Sequence, residues 1–212
     1  MKRIGFIWVF LVAFTMAKAQ QETGLWTLTP KVGVNSSKVS VNDLWVMMQD
    51  DNNELRASAK RRWGFVGGVD AEYQAWQQIG VSVGAFFSTE GYTYGDIKDI
   101  GKVSQSLYYL NVPVLVNFYI EPNILPGFAL KAGIQVGYLL KGESTFGSTE
   151  TNTGSYKRVN ISIPAGISYS FRGFVADLRY NIGISNLCNM GVLDESWKLN
   201  SLWLTLGYQF KL

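Results

Sequence analysis

The 212-residue chain contains no histidine. That removes the commonest general base, and with it the Ser-His and Cys-His pairs on which nucleophilic catalysis usually rests. Cysteine occurs once, at Cys188, so no intrachain disulfide can form; it reads as a small loop residue. No stretch after residue 20 is long and apolar enough for a membrane-spanning helix. Charge of one sign is not in excess either. Of the 19 bases, Lys2, Arg3 and Lys18 lie in the first 19 residues, which hold no acid, leaving 16 (19 − 3) against 16 acids. With no basic tract and no RNA-binding aromatic motif, a nucleic-acid partner is not expected.

What is present begins at the N-terminus. Lys2 and Arg3 precede an apolar run from Ile4 to Met16, and Ala17-Lys18-Ala19 places small residues where a signal peptidase reads. Residues 1–19 are therefore expected to be a cleaved signal peptide, and residues 20–212 a single exported domain starting at Gln20.

Beyond residue 60 the hydrophobic period is two, not 3.6. Along 128–141 one parity reads Phe128, Leu130, Ala132, Ile134, Val136, Tyr138, Leu140; the other carries Lys131, Gly133, Gln135 and Gly137. Segments 159–171 and 174–185 repeat the pattern, and it recurs at 79–90, 107–120 and 201–212, more weakly at 27–35 and 63–75. The polar parity is rich in Gly, Ser and Asn, a poor solvent coat and a good filling for a narrow lumen. Rings such as Tyr119, Phe128, Phe171, Phe174 and Phe210 are read as lying at the ends of the apolar face, like interfacial girdles.

The connections alternate long and short: 36–62, 93–105, 142–157 and 186–199 are long, 76–78, 121–127 and 172–173 short. Outer-membrane barrels show this asymmetry. The sequence thus predicts an all-β, eight-stranded antiparallel up-and-down transmembrane β-barrel in a Gram-negative outer membrane, both termini periplasmic. A lipocalin-like soluble barrel is the structural alternative.

Three segments, Lys31-Val32-Gly33-Val34-Asn35-Ser36, Tyr109-Leu110-Asn111-Val112-Pro113-Val114-Leu115 and Leu204-Thr205-Leu206-Gly207-Tyr208-Gln209-Phe210, resemble the PorT-like outer-membrane β-barrel family of the Bacteroidota. The last also looks like an assembly-machinery signal, although it ends on Leu212 rather than an aromatic. The resemblance implies an eight-stranded barrel and, in a few relatives, a part in protein export. It supplies no site residues.

No catalytic, cofactor or metal site is expected. Asp50, Asp51, Asn52, Asn53 and Glu54 lack the glycine and spacing of a calcium loop and read as a solvated loop tip. The informative constellation is Lys31, Asp70, Glu72, Lys131, Asp177 and Arg179, all on the polar parity near the short-turn strand ends. It predicts a lumen ion-pair cluster, with Lys31 pairing Asp70 or Glu72, and Arg179 reaching Asp177 or across the lumen. In the first long loop, Trp45 and Met48 with Lys60, Arg61 and Arg62 form either a partner surface, the bases meeting lipopolysaccharide phosphates, or a flap folded over the barrel mouth. The functional expectation is a membrane scaffold or interaction protein, not an enzyme, acting through its outside loops or periplasmic turns. The alternative is an accessory of export or transport. Expected partners are outer-membrane lipid and lipopolysaccharide, the assembly machinery, and a protein of unknown identity.

Overall fold

The computed structural model describes residues 23–41, 59–97, 101–121, 124–146, 149–152, 157–187 and 197–212. Period-two sequence becomes strand throughout: β1 (Trp26–Val41), β2 (Ala59–Trp76), β3 (Ile79–Ile97), β4 (Gly101–Tyr119), β5 (Phe128–Phe146), β6 (Thr149–Asn152), β7 (Val159–Phe171), β8 (Phe174–Gly183), β9 (Trp197–Tyr208) and β10 (Phe210–Lys211). Each wall strand pairs antiparallel with the next, and β1 pairs β9 from Lys31↔Gly207 to Val41↔Trp197, which closes the wall. The wall therefore has eight strands. β6 only lengthens the β5 hairpin, and β10 carries β9 past Gln209 onto β1.

One row of paired residues measures the geometry. From Gly64 it passes through Asn35, Trp203, Arg179, Gly166, Lys131, Asn117 and Gly80 and returns to β2 at Gln74. The circuit advances 74 − 64 = 10 residues. With strands about 4.8 Å apart and a rise of about 3.3 Å per residue, this shear tilts them by roughly 40°. An eight-stranded barrel of that kind has an interior that side chains alone can fill.

Burial follows the alternation. Val114, Ile134 and Leu206 point outward and are 51%, 59% and 63% exposed, whereas Asn35, Asn117 and Arg179 point inward and are 0%, 0% and 2% exposed. Water would not tolerate a continuous apolar wall of this extent; hydrocarbon favours it. The polarity is the inverse of a soluble barrel's, which sets the lipocalin-like alternative aside.

The strands outrun their sequence signal at the end bearing the long connections. β1 continues to Val41, β2 starts at Ala59, and β3 and β4 run to Ile97 and from Gly101, through most of the long connection expected at 93–105. The reason is physical. Past the apolar band the outward positions become Thr89, Gly91 and Ser106, so the alternation fades while the hydrogen-bond ladder continues. At the other end the β7–β8 connection is two residues, with Arg172 at φ 51° and Gly173 at φ +87°. Two positive φ values match the strand twist, as a type I′ turn does.

Candidate functional site in the barrel interior

Inward parity on β1, β2, β5 and β8 delivers five charged groups to one place. Lys31 Nζ lies 2.6 Å from Asp70 Oδ2 and 3.4 Å from Asp177 Oδ2. Lys131 Nζ is 3.1 Å from Asp177 Oδ2, and Arg179 Nη2 is 3.4 Å from Asp177 Oδ1 and 3.8 Å from Asp70 Oδ2. Asp177 thus faces three cations, from its own strand and from β1 and β5. All five are buried. The five hold three positive charges against two negative, and Glu72, buried one inward position along β2 from Asp70, supplies the third negative charge; buried charges persist in a low-dielectric interior only when they are compensated.

Glu72, expected in the same cluster, stands apart. It has no cation within 4 Å among the described residues, and the Tyr119 hydroxyl donates to its Oε1. Lys31 therefore pairs Asp70, not Glu72. The two acids are neighbours on the same face of β2, but Asp70 is one inward position nearer Lys31, since Asp70 pairs with Thr29 and Glu72 with Thr27. Tyr119 is itself a correction. It was read as an outward girdle ring, yet it continues the inward parity of Asn111, Pro113, Leu115 and Asn117, all buried.

Above the charges comes an apolar shelf of Phe86, Trp203 and Val66. The Arg179 guanidinium carbon sits 5.7 Å from both ring centroids, within cation–π range. A hydrogen-bonded polar network follows, which the sequence reading missed. Gln135 Nε2 donates to Asn111 Oδ1 (3.2 Å), Asn111 Nδ2 to Ser88 Oγ (2.8 Å), and Ser88 Oγ to Glu90 Oε1 (3.1 Å). Trp203 Nε1 and Ser201 Oγ donate to the same carboxylate oxygen at 3.2 and 3.4 Å, and Asn181 Nδ2 to Ser201 Oγ at 3.1 Å. Glu90 is on the polar parity of β3 and was legible as such. It lies far from the short-turn end, where the six expected charges are gathered.

The last layer is apolar: Val39, Tyr92, Leu107, Tyr109, Leu187 and Leu199 pack together, with Leu139 and Trp197 against them. From one end to the other the interior is ion pairs, rings, a hydrogen-bonded polar network around Glu90 and an apolar stopper. The arrangement braces strands together. Its carboxylates are each held by neighbouring side chains, and among the described residues no group of three or more His, Cys, Asp or Glu could hold a metal ion.

The expected loop surface divides. Trp45 and Met48 lie outside the described residues. Lys60, Arg61 and Arg62 are not loop but the start of β2. Lys60 and Arg61 are exposed, while Arg62 is half-buried and donates from Nη1 to the Glu90 carbonyl at 3.4 Å.

A closed, lipid-compatible wall around a side-chain-filled interior defines a transmembrane β-barrel of the smallest kind. The outer membrane protein beta-barrel domain family matches residues 18–189, and the chain belongs to that family. Its place is accordingly the Gram-negative outer membrane. No curated protein matches it. Among solved structures it is similar to Ail, the attachment invasion locus protein of Yersinia pestis, at 16% identity and a TM-score of 0.43, covering 89% of this chain and 100% of that one. It is also similar to OprG from Pseudomonas aeruginosa (13%, TM-score 0.48, 90% and 98%) and to Neisserial surface protein A (12%, TM-score 0.49, 88% and 97%).

Proposed function

We propose that this protein is a non-conducting, non-enzymatic scaffold of the outer membrane that works through the surface at its long-connection end. In this reading residues 1–19 are removed on export, both termini face the periplasm, and the long connections stand outside the cell. The assembly machinery reads the closing strand, and the PorT-like resemblance of that strand and of 31–36 fits the same placement. The observation that carries the proposal is the interior itself. Asp177 holds three cations from three strands in a barrel of eight, and the apolar stopper lies on the same axis beyond them. A solute would have to part both.

The test is reconstitution of the purified protein in planar bilayers. No stable porin-like channel is expected. Reproducible large open states from pure protein would refute the sealed interior and promote a transport role. Cross-linking in native membranes then asks what the exposed end touches.

A further inference from the structure

The outward face of the wall changes character abruptly at the long-connection end. On β2 the outward parity reads Phe65, Trp63, then Arg61; Trp63 is 72% exposed and Arg61 is exposed. On the approach to β7 it reads Ile161, Val159, then Lys157. On β9 it reads Leu204, Leu202, Asn200, Lys198, and on β1 Val32, Val34, Ser36, Lys38. In every case a base stands within two outward positions of the last apolar residue. Lys157 and Lys198 are exposed and Lys38 is half-buried.

Three of these bases are close neighbours. Lys38 pairs with Asn200, which puts Lys198 on the diagonal one outward position further along β9; residues so placed on one face lie about 7–8 Å apart. Arg61 precedes Arg62, the partner of Ser37, and so lies level with Lys38 on the other side of β1. None of the four bases has an ion-pair partner among the described residues. The acid nearest this rim with a described side chain, Glu143, is already engaged by Lys141 and by the Tyr108 hydroxyl at 2.9 Å. The opposite rim has no such excess: its exposed charges among the described residues are Glu121, Arg172 and Lys211.

We infer that Lys38, Arg61, Lys157 and Lys198 form a collar that binds the phosphates of lipopolysaccharide in the outer leaflet. The inference rests on the orientation proposed above. Unpaired bases directly beyond an apolar band lie where hydrocarbon gives way to headgroups, and each such base adds attraction for an anionic surface. Lipopolysaccharide is the anionic lipid of that leaflet. Arg62 is not in the collar, because its guanidinium is bonded to the Glu90 carbonyl.

The experiment compares protein folded into phosphatidylcholine vesicles containing lipopolysaccharide with the same vesicles containing an equal charge of phosphatidylglycerol. Bound fluorescent lipopolysaccharide is measured after gel filtration at low and high salt. Replacing all four bases with glutamine should lower lipopolysaccharide affinity about ten-fold or more and flatten its salt dependence. The four-arginine version, changing only the three lysines, should keep both. Folding of each variant is checked by its heat-modifiable mobility on gels. An all-glutamine variant that binds as the native protein does overturns the inference. So does an equal loss from Arg172→Gln with Lys211→Gln at the other rim, or equal attraction to phosphatidylglycerol. Orientation is read separately on whole cells with an impermeant maleimide, in a Cys188→Ala background. Lys60→Cys should label and Arg172→Cys should not; the reverse would sink the orientation while leaving the vesicle result to stand or fall alone.

Discussion

Among single residues, the interior ranks its acids unequally. Asp70 touches Lys31 at 2.6 Å, whereas among the described residues Glu72 has only the Tyr119 hydroxyl. Asp70→Asn should therefore strand a buried cation and cost about 3–5 kcal/mol, seen as a lower urea midpoint in detergent. Adding Lys31→Met should recover part of the loss, because the stranded charge goes too. Glu72→Gln should cost less than Asp70→Asn, and Lys31→Met should not rescue it. Simple additivity at positions 31 and 70 would contradict the observed pairing. Sequence alternation was enough to put all six charged side chains inside. It could not choose between Asp70 and Glu72, because both share a face and the choice depends on a one-step offset between strands. Glu90 escaped for another reason: nothing in one strand tells that Ser88, Ser201 and Trp203 will converge on it.

At the scale of elements, the wall was readable where it meets lipid and unreadable beyond. The rule of apolar outside and polar inside holds along Ile79–Ala85 of β3, is broken by inward Phe86, and inverts nearer the long connections, where Tyr92 on β3 and Leu107 and Tyr109 on β4 are apolar and inward. An inverted pattern reads as irregular sequence, which is why the connections were drawn too long. The β7–β8 turn, by contrast, was visible as Arg172-Gly173. At Gly173 the backbone needs φ +87°, and an added Cβ would come within 2.9 Å of the Tyr208 ring. Gly173→Ala should then destabilise the barrel by about 1–3 kcal/mol. Arg172→Asn, which accepts positive φ readily, should leave the midpoint unchanged or raise it. Equal effects at both positions would mean that the turn conformation is not limiting. The same urea titration decides it.

For the whole molecule, an even number of wall strands puts the start of β1 and the end of β10 on one rim. The proposed maturation then requires the N-terminus to stay on the side from which it was delivered. Mass spectrometry of protein recovered from outer-membrane fractions should find Gln20 first. Met1 retained, or recovery in the soluble periplasm, would oppose export of this kind.

The place of Lys31 within the wall has a consequence for how the barrel forms. It lies on β1, the strand that meets β9 to close the cylinder, and one of its two partners, Asp177, is 146 residues away on β8. Until the first and last strands meet, Lys31 can find Asp70 but not Asp177, and Asp177 lacks one of its three cations. Contacts of such long sequence separation form late. Satisfying the buried charges and zipping the final seam are thus one event: an open sheet leaves the layer unbalanced, and only the finished cylinder brings every partner home.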